Sequence, residues 1–231
     1  MIGSRLALAG LLLSATAASA ALLGPTPYLS STDSPFSGGS FTYFHLENFE
    51  DGLLNTPGAI GNGISTSPGG STDSVDADDG ATDGSGQAGR SYYSNFATSS
   101  FEFSFSAAIL GALPTHACIV WTDVGQVSLG TLGFGGVTFE AFDENGDSLG
   151  VIGPNTLGDG AVTGATTEDR FYGATNATGI SRIVISMNNS TDWEVDHLQY
   201  GLTADAVPEP STIVLCSLSL LALAARRFIT K

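Results

Sequence analysis

Cationic residues are scarce in this chain. Between residues 21 and 206 only Arg90, Arg170 and Arg182 stand against 22 carboxylates, a net charge of −19, and the single lysine, Lys231, lies at the extreme C-terminus. So acidic a surface repels nucleic-acid phosphates and anionic headgroups, which disfavours DNA, RNA and polybasic-type membrane binding. Divalent cations, or polymers bridged by them, suit it better. Cysteine is nearly missing too: Cys216 falls in an apolar tail, leaving Cys118 as the one thiol of the body, so no disulfide can form within it. Set in Ala117-Cys118-Ile119-Val120-Trp121 with no activating His or Lys motif beside it, that thiol reads as buried strand core.

Catalytic signatures are absent as well. There is no Gly-x-Ser-x-Gly elbow, Walker loop or dinucleotide fingerprint, and His45, His116 and His197 sit on separate strand-like segments without metal-ligand spacing. Paired carboxylates suit glycoside hydrolysis, but in a chain with 23 acidic residues such pairs arise by chance. A non-enzyme is the expectation, with a hydrolase as the lesser alternative.

What is present is strand signal. Phe41 to Phe49 has the aromatic density of a strand; Phe101, Phe103 and Phe105 alternate with Glu102 and Ser104; Ala117 to Val124 reads as a buried strand. Val137 to Phe142 and Ser148 to Ile152 flank Asp143-Glu144-Asn145-Gly146-Asp147, the best hairpin in the sequence. Arg170 to Gly173, Ile180 to Met187 and Trp193 to Tyr200 continue the series, and no amphipathic helix of about 12 residues or more interrupts it. One all-β domain over 41–204 is expected, an antiparallel β-sandwich or jelly roll. Leu22 to Ser40, rich in Pro, Ser, Thr and Gly, reads as a flexible lead-in over 21–40.

The two ends carry apolar segments. Arg5, an apolar run from Leu6 to Ala18 and the small-x-small site Ala18-Ser19-Ala20 predict a signal helix removed at about residue 20, which implies the Sec machinery and a signal peptidase. At the other end, residues 205–231 hold Val207-Pro208-Glu209-Pro210, an uncharged run over 211–225, then Arg226 and Arg227 in a basic stop over 226–231. The prolines stiffen the tetrapeptide into an extended handle. At about 1.5 Å per residue the apolar run reaches only ~22 Å against a hydrocarbon core of ~30 Å, which makes a marginal transmembrane helix. An ordinary single-pass anchor is the alternative reading.

This tripartite tail resembles the PEP-CTERM sorting signal of Gram-negative bacteria, also labelled the ice-binding protein C-terminal domain. The resemblance implies an exosortase as partner. It also implies transient anchoring in the inner membrane and a final place at the cell surface or in the extracellular matrix, near exopolysaccharide. The body, on Gly136 to Asp143, Phe171-Tyr172-Gly173 and Trp193 to Gly201, is similar to jelly rolls of the carbohydrate-binding-module kind. That likeness implies a structural Ca²⁺ tying the first strand region to the last, which here would be Glu47, Glu50 and Asp51 with Asp196.

Residues 55–91 are mostly Gly, Ser, Thr and Asp, and Asp76, Asp78, Asp79 and Asp83 offer a second oxygen set for Ca²⁺. Their spacing is not that of an EF-hand, and a solvated acidic loop is the competing reading. No other cofactor is suggested. Tyr92, Tyr93, Trp121, Tyr172 and Trp193 are candidate sugar platforms, although aromatics on strands mostly belong to the core. A Ca²⁺-dependent carbohydrate-binding module is therefore the alternative to a non-catalytic surface or matrix protein. Ice binding fits poorly, for want of a Thr-rich strand array.

Overall fold

A computed structural model describes residues 20–65, 74–75, 89–122, 126–128, 131–134, 136–157, 169–188 and 190–204. The signal segment, the acidic run 76–88 and the whole tail 205–231 lie outside them. The described strands are β1 (Ala21–Pro27), β2 (Phe41–Glu47), β3 (Ala59–Gly61), β4 (Ile64–Ser65), β5 (Tyr92–Tyr93), β6 (Ser100–Phe105), β7 (His116–Trp121), β8 (Gln126–Ser128), β9 (Thr131–Phe134), β10 (Gly136–Phe142), β11 (Ser148–Thr156), β12 (Arg170–Thr175), β13 (Arg182–Met187) and β14 (Glu194–Thr203). Among the described residues helix is limited to a turn at Ser31–Asp33 and α1 (Ala107–Leu110).

The strands form two main antiparallel sheets, in keeping with the all-β expectation. The larger runs β1-β12-β7-β14-β5-β4, with β2 also paired to β14; the smaller runs β11-β10-β13-β6-β3; β8 and β9 pair with each other. In the smaller sheet one face is buried and the other half-open, so the aromatic alternation of β6 appears directly as packing. Phe101, Phe103 and Phe105 point inward beside Val137, Phe139 and Ala141 of β10 and Ile183, Ile185 and Met187 of β13. Against them the larger sheet sets Ala117, Ile119, Trp121, Tyr172, Ala174, Trp193, Val195, Leu198 and Tyr200. The β10–β11 hairpin closes as expected: Asp143 Oδ1 accepts from Asn145 N at 2.8 Å and Asp147 N at 2.9 Å, and Gly146 supplies φ +82.

The expected flexible lead-in is overturned. Ala21 enters β1 at once and pairs with Thr175, and residues 28–40 then cross the outer face of the larger sheet as a strap from β1 to β2. Tyr28 N bonds Asp169 O at 3.2 Å at one end, and Ala204 N bonds Ser40 O at 3.1 Å at the other. Tyr28 and Phe36 bury with Val75 on Cys118, Val120 and Phe171, a second core outside the sandwich. Pro, Ser and Gly report turns in this segment, and its two aromatics report burial. With both faces covered, β7 and β14 are buried almost throughout, which explains the continuous rather than alternating hydrophobicity of β7 and buries the polar Glu194, Asp196, His197 and Gln199 of β14.

Candidate functional site

A β-bulge in β14 sets the geometry of the acidic end. Trp193 and Val195 face the inner core, yet so do Leu198 and Tyr200; the register with β7 shifts between Asp196 and Gln199, where His197 takes φ +44. Asp196 and His197 are thereby both turned to the outer face. Asp196 is fully buried, its Oδ1 accepting from His197 N at 2.6 Å and its Oδ2 from Val75 N at 2.9 Å. His197 Nδ1 lies 2.8 Å from Tyr28 Oη, which accepts from Gln199 Nε2 at 2.8 Å.

Two further carboxylates hold the flanks of the acidic run 76–88. Glu194, buried, accepts from Ser91 Oγ at 2.7 Å, and Glu50 accepts from Arg90 N at 2.5 Å. Gly89 is required between them, since a Cβ there would stand 2.2 Å from Ser74 Oγ and 2.9 Å from Glu50 Oε1. Ser74-Val75 on one side and Gly89-Arg90-Ser91 on the other are thus drawn to Asp196, Glu50 and Glu194. Glu194 was missed in the sequence reading, although Glu194-x-Asp196 is the strand alternation that puts two side chains on one face.

The other expected calcium ligands are occupied separately. Glu47 is buried and clasps its own loop, Oε1 accepting from Phe49 N at 3.1 Å and Oε2 from Asn55 N at 2.9 Å and Thr56 N at 3.0 Å. Asp51 accepts from Leu53 N at 2.9 Å and Asn55 Nδ2 at 2.5 Å. Among the described residues no three His, Cys, Asp or Glu side chains come together as a metal set, so Glu47, Glu50, Asp51 and Asp196 do not form the single site expected of them. The physical reason is that backbone N–H groups of turns satisfy these carboxylates first. Asp76, Asp78, Asp79 and Asp83 lie outside the described residues.

The expected sugar platforms are mostly core. Tyr92, Trp121, Tyr172 and Trp193 are at most 2 % exposed, and Tyr93 is half-buried with its hydroxyl 2.9 Å from Asp192 Oδ1. The open aromatics lie elsewhere: between the strap and β2 runs a groove of about 450 Å³ whose lining includes Phe36, Phe41, Phe44, Leu46, Ser31 and Gln199, with Phe44 40 % exposed. Among the described residues no charged side chain lines it. Of the histidines, His45 stacks on Tyr43, and His116 meets the edges of Phe36 and Phe41; burial holds both rings below their ordinary pKa. Burial likewise pushes the Cys118 thiol up, which leaves it inert, as its sequence context suggests.

No family model, curated protein or solved structure matches the chain. Among the described residues no helix is long and apolar enough to cross a membrane. The sorting residues Val207, Pro208, Glu209, Pro210, Arg226 and Arg227 lie outside the described residues.

Proposed function

We propose that this is an exported, non-catalytic cell-surface or matrix protein whose tail is processed by an exosortase, and that its sandwich is of the jelly-roll kind. The observation that carries the reading is the pair of apolar signals bracketing one all-β body, the second of them the ordered series Pro208-Glu209-Pro210, uncharged run, Arg226-Arg227. Two boundaries support it. β1 starts at Ala21, next to Ala18-Ser19-Ala20, and β14 ends at Thr203, four residues ahead of Val207, so both processing regions lie beyond the ends of the described strands. For the jelly roll, the support is that β14, the last of the described strands, pairs with β2, β5 and β7 instead of with its neighbour in sequence. Intact mass of the protein recovered from its native host tests the sorting reading. Loss of residues 1–20 and of the segment after Pro210 is expected; a chain still ending at Lys231 overturns it in favour of a plain anchor.

The groove beside β2 favours a second reading, glycan binding. Its size falls within the usual range for ligand pockets of about 300–1,000 Å³, and open Phe44 and Leu46 beside the Ser31 and Ser37 hydroxyls suit a neutral, hydroxylated ring. A glycan array with and without Ca²⁺ should give a signal that Phe44→Ala abolishes. A blank array under both conditions rejects it.

A further inference from the structure

We infer that the domain stands on the membrane by one end of its larger sheet and holds its buried carboxylates at the other, an inference that rests on reading residues 6–18 and 207–227 as membrane-directed segments. Strand registers place the chain ends. Ala21 pairs with Thr175, Thr175 with His116, His116 with Gly201, and Gly201 with Phe44, so one row crosses β1, β12, β7, β14 and β2. β1 begins on this row and β14 ends two residues past it. The two junctions to the apolar segments therefore leave from the same end of the sheet, three strand spacings or roughly 14 Å apart.

The opposite end is defined by a second row through Pro27, Arg170, Trp121 and Val195, roughly 20 Å away along β14 at ~3.4 Å per residue. There stand Asp169, Asp192, Glu194 and Asp196, with the flanks of the acidic run 76–88, while Glu47, paired with Leu198, lies midway between the two rows. At the junction end the segments of the larger sheet and its turns, 20–27, 40–46, 106–119, 171–181 and 197–204, contain no Asp, Glu, Lys or Arg. The carboxylates that do reach this end belong to the Asp143–Asp147 turn of the smaller sheet, held at its edge by Ser181 N on Phe142 O at 2.9 Å.

Two physical terms fix the orientation. Between Ala204 and the apolar run beginning at Ser211 lie six residues, two of them proline, which span at most ~20 Å, so the junction end cannot lift far from the bilayer. An anionic headgroup layer repels carboxylates, so the exposed Glu144 and Asp147 tilt the smaller sheet away from the lipid and the uncharged turns of the larger sheet, which carry both junctions, take the contact. More than two Debye lengths then separate the distal end from the lipid at physiological salt, where one length is ~8 Å, so the carboxylates buried there stand clear of the membrane's field.

The test uses the full chain with Cys216→Ala in vesicles carrying a headgroup-attached acceptor dye. A donor is attached at Ala177→Cys, exposed in the turn at the junction end, or at Thr191→Cys, exposed at the distal end. Cys118 is fully buried and escapes labelling. Several-fold more efficient transfer from position 177 than from 191 is expected. Equal or reversed transfer in protein that still floats with the vesicles overturns the orientation and leaves the membrane reading intact. Protein that does not float brings down both.

Discussion

Asp196 gives both of its oxygens to backbone N–H groups in a site closed to solvent, and one of those donors, Val75, lies 121 residues away in sequence. Truncation by Asp196→Ala strands that donor, a change that typically costs about 1–3 kcal/mol. Thermal melting should therefore fall by several degrees, while Asp51→Ala, on an exposed turn, should stay within ~0.5 kcal/mol of the parent. His116 makes a second prediction. Its ring is packed edge-on to Phe36 and Phe41 with Nδ1 at 3.0 Å from Thr115 Oγ1, and burial lowers its pKa in the folded state. The unfolded chain then binds that proton more readily, so the stability owed to the neutral ring is complete above about pH 6.5 and is lost as pH falls through the folded value. A His116→Gln variant should show a shallower loss of stability than the parent between pH 7 and 5 by chemical denaturation; identical slopes would contradict it. The acidity of residues 194 to 196 was legible in the sequence, but the pairing of Asp196 with Val75 was not. It depends on a single positive-φ residue, His197, that no alternation pattern reveals.

The strap over residues 28–40 acts as an element even though it has almost no regular structure. A capping box at Ser30 and Asp33 shapes its first turn, and Phe36 packs edge-on against Phe171 at 5.5 Å between ring centroids. Because Phe36 is 4 % exposed, Phe36→Ala should cost about 3 kcal/mol by equilibrium denaturation, against at most ~0.5 for Phe96→Ala, whose ring is 55 % exposed. Equal costs would mean that the strap contributes no core. Strands with one open face, such as β6, β10 and β13, were readable from period-2 patterning. β1 and the strap were not, because turn formers dominate their composition and the residues they cover, Cys118, Val120 and Phe171, come from β7 and β12. The aromatics illustrate the same limit. Tyr172 and Trp193 read as either platform or core, and only the packing of two sheets decides for core.

At the scale of the whole molecule, 22 carboxylates face three arginines in the body, of which Arg182 pairs with Glu102 at 2.9 Å. Self-repulsion therefore outweighs attraction, and monovalent salt should raise the melting temperature between about 10 mM and 150 mM, as the Debye length shrinks from ~30 Å to ~8 Å. A flat response would show that the acidic groups are already neutralised by the fold. The register of the larger sheet carries a mechanical consequence as well. Ladder hydrogen bonds in an antiparallel sheet lie perpendicular to the strands, so a pull between Ala21 and Thr203, sideways across one end, acts along those bonds and opens them singly. Stretched between its two ends, the domain would unzip at low force, and it is built to be carried by one terminus rather than to bear tension between both.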